Sequence, residues 1–104
     1  MAFSKAHLFD PADQTTSAFL KALSHPVRLD ILRTLSAKGP CSVETFFIKY
    51  PLSKSTISQH LEGLRKAGLL KYREDHPHII YFLDFQVFKL YNIKFQDFIK
   101  FLNG

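Results

Sequence analysis

Seven side chains able to form hydrogen bonds, Ser53, Lys54, Ser55, Thr56, Ser58, Gln59 and His60, fall within eight consecutive residues interrupted only by Ile57. Such a set suits the reading of base edges and phosphates. Short hydroxyl side chains let a helix approach a surface closely, and Gln and Lys beside them can reach into a DNA major groove. Ser53 is a natural N-cap, because its hydroxyl can accept a bond from a free first-turn N–H. Ile57, Leu61 and Leu64 recur at i, i+4 and i+7, which predicts a helix over Ser53–Ala67 with one inward stripe. The opposite face then carries Lys54, Ser55, Ser58, Gln59, Glu62, Arg65 and Lys66. Thr56 and His60 sit beside the apolar stripe, where packing or capping competes with an outward role. Gly68 ends the helix as a C′ glycine. An ordinary solvated helix has the same periodicity, so the rest of the chain must decide.

Charge supports the first alternative. The 104 residues carry a net charge of +5 and a sequence pI of about 9.5, a balance that favours an anionic partner. Between Ser53 and Arg73, the basic residues Lys54, Arg65, Lys66, Lys71 and Arg73 face a single acid, Glu62. Nearly the whole excess is concentrated there, the electrostatic footprint of a nucleic-acid binder. The apolar fraction of 46% and the length fit one globular domain over 1–104. Cys41 is the only cysteine, which rules out an intramolecular disulfide and fits a reducing compartment. The opening residues MAFSKAHLFD contain no long apolar stretch, and no segment approaches the roughly 20 apolar residues of a membrane span. The expected location is therefore the cytoplasm.

The elements that must position this helix are legible from breakers and periodicity. A first helix is predicted over Pro11–Leu23 and a second from Pro26 to about Ala37, each with proline at its first position. Gly39-Pro40 stops the second. A short third helix runs from Ser42 to Lys49, with Ser42 as its cap. Two strands, Leu69–Glu74 and Ile79–Leu83, flank the turn Asp75-His76-Pro77-His78 and form a hairpin. Lys71 and Arg73 fall on one of its faces by alternation. The first ten residues are weakly patterned, although Phe3, Leu8 and Phe9 offer packing groups. The last segment, Phe85–Leu102, is a helix in which Phe88, Tyr91, Phe95, Phe98 and Leu102 repeat at 3, 4, 3, 4, a heptad-like seam. Val87, Leu90, Ile93, Ile99 and Phe101 widen it beyond what one small domain needs to cover, which points to a second subunit. The fold class expected is mainly α with a small β-hairpin: helices and wing over about 11–84, and a dimerisation helix over 85–104.

Ala22–Leu35, ALSHPVRLDILRTL, resembles the opening helix pair of the ArsR family of winged helix-turn-helix regulators. LSKSTISQHLEGLRKAGLL resembles that family's recognition helix and its exit, and KYREDHPHIIYFLD stands where the family has its wing. The resemblance covers about Phe19 to Asp84. It implies a symmetric dimer built from the first and last helices, with Phe19, Phe88, Tyr91, Phe95, Phe98 and Leu102 in the seam. It implies a recognition helix from each subunit in successive major grooves of double-stranded DNA carrying an inverted repeat. Ser53, Lys54, Ser55, Thr56, Ser58, Gln59 and His60 are then the groove-facing candidates. Arg65, Lys66, Lys71 and Arg73, with His76 and His78 on the wing, are the candidates for backbone contact. The function implied is transcription regulation, of the repressor type.

The departures bear on sensing. Many members bind metal through a Cys-x-Cys pair at the start of the third helix; here the matching stretch is Ser42-Val43-Glu44-Thr45-Phe46. Others use Asp and His on the last helix, which here has Asp84 and Asp97 and no histidine. The usual Gly-Arg wing turn is replaced by Asp75-His76-Pro77-His78. A metal site needs three or four converging ligands, and His76 with His78 supplies two at a wing tip. The expectation is a regulator with no metal and no cofactor. The alternatives are a metal-responsive repressor, one that answers to a small apolar inducer held between the aromatic-rich last helices, and a winged-helix module that docks an acidic protein. Cys41 reads as a small buried residue rather than a thiol switch. The sequence has no Gly-rich phosphate loop, no HExxH and no nucleophile elbow, so no enzyme is expected.

Overall fold

A computed structural model describes residues 8–104; Phe3 and His7 lie outside the described residues. The order is α1 (Pro11–Ala22), α2 (Pro26–Lys38), β1 (Cys41–Ser42), α3 (Val43–Lys49), α4 (Lys54–Lys66), β2 (Leu70–Asp75), β3 (His78–Leu83) and α5 (Phe85–Leu102). The starts of α1, α2 and α5 have local chemistry that provides for free N–H groups, and that of α3 does not. Asp10 accepts from Ala12 N at 2.7 Å ahead of α1, and proline at the first position of α1 and α2 removes an N–H that had no partner. Asp84 accepts from Gln86 N and Val87 N at the start of α5. Ser42 holds the N-cap position of α3, but its hydroxyl makes no capping bond.

The hairpin differs from expectation at its tip and at its edge. Asp75 pairs with His78, so His76-Pro77 alone make the turn, through a cis peptide bond. The sheet has three strands, not two, in the order β1-β3-β2. The extra strand is the two-residue β1, antiparallel to β3 with Cys41 opposite Tyr81 and Ser42 opposite Ile80. It ties the entry of the helix-turn-helix to the central strand of the wing.

The core forms where α2, α3, α4 and the start of the hairpin meet. Ile31, Phe46, Ile57, Leu61, Leu64, Leu69 and Leu70 are all but fully buried. The stripe Ile57, Leu61, Leu64 thus anchors α4 from below, each side chain contributing roughly 1.5–3 kcal/mol of burial. Gly68 follows with φ +82°, and a Cβ there would stand 3.4 Å from Val87 of α5. The chain therefore reverses from α4 into β2 at a residue that needs the left-handed region. Packed on this body, α1 and α5 run antiparallel: Phe19 stacks on Tyr91 with ring centroids 4.8 Å apart, while the start of α1 and the end of α5 line one cleft.

Candidate nucleic-acid interface

The first turn of α4 is set by its cap. Ser53 Oγ accepts from Thr56 N at 3.1 Å and donates to Thr56 Oγ1 at 2.9 Å, so both hydroxyls serve the helix start. Removing that cap by Ser53→Ala is expected to cost ~1 kcal/mol of unfolding free energy, measured by urea denaturation; no change in midpoint would show that the cap does not hold α4. One residue further round, Ser55, Ser58 and Gln59 are exposed. Among the described residues their side chains have no hydrogen-bond partner in the protein. Lys54 lies beside them with its Nζ 5.5 Å from the Phe47 ring, which steadies its stem. These four present donors and acceptors at the helix start with nothing above them, the geometry a groove-entering helix needs.

His60 is placed differently. Its ring is half-buried, its Nδ1 accepts from Arg28 Nε at 3.1 Å, and the His25 ring lies 5.0 Å away. Burial first, then the charges of Arg28 and His25, hold its pKa below the ordinary histidine value. The structure thus turns His60 toward the protein and leaves Ser55, Ser58, Gln59 and Lys54 facing out.

The basic residues divide into two groups. Arg65 is forked onto Glu62 one turn earlier, with Nε at 2.8 Å from Oε2. Lys71 pairs with Asp84 at 3.0 Å. That lysine first, and then the Val87 N–H, keep the Asp84 carboxyl below the usual carboxylate range. Lys54, Lys66 and Arg73 form no ion pair among the described residues. Arg73 lies on the exposed wing with its guanidinium 5.9 Å from the Phe82 ring. Lys71 and Arg73 share a strand face, as alternation predicts. At the wing tip, His76 sits 3.5 Å from Glu74 and His78 sits 3.9 Å from Glu44. The two histidines therefore face acids and not each other. Among the described residues, no three His, Cys, Asp or Glu side chains converge on a common point. Cys41 is buried and its thiol donates to the Gly39 carbonyl. Among the described residues, no helix is long and apolar enough to cross a membrane.

The second surface lies on α5. The seam residues predicted from the heptad spacing split. Tyr91 turns inward, stacks on buried Phe19 and donates to the Ala67 carbonyl at 2.6 Å. Phe88 packs half-buried against the core. Phe98 and Leu102 are exposed, and so are Leu90 (59%), Ile93 (58%) and Phe101 (80%). No α5 residue is fully buried. Among the described residues nothing covers this face, and leaving it in water forgoes burial that a partner surface would supply.

Sequence reasoning missed Arg28 and Gly63. Arg28 reaches from α2 across to α4 at Gly63, where a Cβ would meet the guanidinium at 2.6 Å. A glycine inside an otherwise well-patterned helix was the available signal, since it costs ~1 kcal/mol there and marks a close approach.

Residues 23–73 match a helix-turn-helix domain family. The HTH-type transcriptional regulator YgaV of Escherichia coli is 41% identical over 76 residues, which cover 73% of this chain and 76% of that protein. The biofilm growth-associated repressor of Agrobacterium fabrum is 41% identical over 62 residues, 60% of this chain and 52% of its own length. A solved structure described as a possible transcriptional regulator for arsenical resistance superposes with a TM-score of 0.69 at 33% identity, covering 76% of this chain and 81% of that one.

Proposed function

The chain belongs to the ArsR-type winged helix-turn-helix transcriptional regulators, and from that membership we propose that it is a homodimeric repressor that reads an inverted-repeat duplex in the cytoplasm without sensing metal. The observation that carries this reading is the outer face of α4, where among the described residues Ser55, Ser58 and Gln59 have no hydrogen-bond partner, with Lys54 and Lys66 on the same helix and Arg73 on the wing free of ion pairs. Each recognition helix enters one major groove, with half-sites about one helical turn apart. The wing residues contact phosphate or minor groove and position more than they specify. The exposed apolar face of α5 supplies the dimer contact. Repression is supported by the repressor role of the Agrobacterium relative, and independence from metal by the single buried cysteine.

Selection from a random duplex pool, run in EDTA and with added zinc, tests the reading. Enrichment of a palindrome in EDTA is the expected result. No enrichment in either condition would move the assignment to a module that docks an acidic protein, and enrichment abolished by zinc alone would restore metal control. On the selected site Gln59→Ala is expected to lose roughly 1–3 kcal/mol, with little change on a scrambled duplex. Equal losses on both would remove Gln59 from sequence reading. A second reading, control by a small ligand, has one observation in its favour: a cleft of about 560 Å³ between α2, β3 and α5, with Leu32, Leu83, Phe85 and Phe88 as walls and Arg33 at its edge.

A further inference from the structure

Arg28 runs inward from α2 to a point where three helices meet. A Cβ at position 63 would fall 2.6 Å from its Cζ and from both terminal nitrogens, so the guanidinium fills volume that any larger residue there would claim. Its Nε donates to His60 Nδ1 at 3.1 Å, and its Nη1 donates to the Ala22 carbonyl near the end of α1 at 3.4 Å. The planar fork thus fixes α4 against α2 and α1 at once, which a flexible point charge does not do. Because Nδ1 accepts, the His60 proton sits on Nε2.

The surroundings of His60 are cationic. Arg28 from α2 touches it, His25 stands beside it just ahead of α2, and Lys21 from α1 and Lys66 from α4 share a shallow groove with Arg28 and Gly63. No carboxylate lines that groove. A proton added to Nδ1 takes the acceptor from Arg28 and sets two cations face to face. The His60 pKa is depressed in the folded protein. The neutral-state contact is therefore complete above the unfolded value near 6.5 and is lost as pH falls through the lower folded value.

We propose that Arg28 is a positioning residue for sequence reading: its fork at Gly63 and His60 sets the rotation of α4, and protonation of His60 releases that setting, lowering discrimination between DNA sequences while phosphate binding persists. This rests on the DNA-reading function proposed above.

The test uses the full chain and measures affinity by fluorescence anisotropy for the selected operator and for a scrambled duplex of equal length. At about pH 7.5, Arg28→Lys is expected to reduce the operator-to-scrambled ratio about tenfold, the size of one lost charge-assisted hydrogen bond, with scrambled-duplex affinity within about twofold of wild type. Gly63→Ala, which displaces only the flexible end of Arg28 and favours the helix, is expected to do the same without loss of folding. The wild-type ratio falls as pH is lowered below the ordinary histidine range, and His60→Gln, an acceptor that does not titrate, flattens that fall. Imidazole ¹⁵N spectra of the wild type are expected to show His60 as the Nε2–H tautomer, lost in Arg28→Lys. Equal losses on both duplexes, a His60→Gln profile that tracks wild type, or an Nδ1–H tautomer overturns the proposal. A wild type that distinguishes no duplex overturns the functional reading itself, and this proposal with it.

Discussion

Raising the salt concentration from about 50 to about 200 mM is expected to weaken operator binding by about a thousandfold. The charge count of the sequence, five basic residues against one acid between Ser53 and Arg73, places three or four phosphates under each subunit and a slope of log affinity on log salt of roughly −5 to −7. The pairing seen in the fold selects the shallow end. Arg65 is forked onto Glu62 and Lys71 is held by Asp84, so each already has a counter-charge and releases fewer ions on binding. Lys54, Lys66 and Arg73 remain, three per subunit and six per dimer, for a slope of about −5. Titrations by anisotropy at four or more salt concentrations give the slope directly. Lys66→Ala is expected to reduce its magnitude by about two, one per subunit. A flat response would sink the model of a phosphate-tracking dimer, and a slope steeper than −7 would show that Arg65 and Lys71 leave their acids to bind DNA.

Ile93→Glu is expected to convert the protein in solution from twice 12.0 kDa to 12.0 kDa and to weaken binding to the full palindrome by about a hundredfold or more, because two half-sites then bind independent subunits. Ile93 is 58% exposed and lies on α5 one turn after Leu90 and two turns before Phe101. Its side chain is exposed and lies outside the buried core cluster, so a carboxylate there is expected to leave the protomer folded. Placed in an apolar contact between two copies, the same carboxylate is buried without a partner, and it is buried twice by symmetry. Light scattering coupled to size exclusion reads the mass, and circular dichroism confirms the helices. A variant that stays at the dimer mass would exclude this face of α5 as the subunit contact.

The helices were legible because their ends are written locally: Asp10-Pro11, His25-Pro26, Ser53 and Gly68 each act within one turn of themselves. The stripe Ile57, Leu61, Leu64 faces the core as its spacing predicts. What escaped was non-local. Strand β1 is two residues long, and its pairing of Cys41 with Tyr81 joins residues far apart in the chain, so no periodicity announces it. Lys71 meets Asp84 across the width of the hairpin, and Arg28 meets His60 from another helix; in both cases the partner is set by tertiary packing. Heptad spacing on α5 identified which residues are apolar but not whose surface they cover. Tyr91 and Phe19, grouped with the subunit seam, stack on each other inside the protomer, while Leu90, Ile93 and Phe101 take the outer face. The outward set at the start of α4 was mostly readable, with Thr56 engaged by the cap and His60 by Arg28.

The Tyr91 hydroxyl closes on the Ala67 carbonyl at 2.6 Å, at the last turn of α4, and Asp84 N donates to the Leu69 carbonyl at 3.0 Å just beyond it. The helix proposed for the subunit contact is thereby clamped directly to the tail of the helix proposed for the DNA contact, although the β2–β3 hairpin separates them in sequence. A dimer built this way behaves as a caliper whose jaws are set at one opening. It tolerates little change in the phase of its two half-sites, since a single inserted base pair turns one of them by about a tenth of a revolution about the duplex axis. Operators for such a protein are constrained in spacing at least as tightly as in sequence.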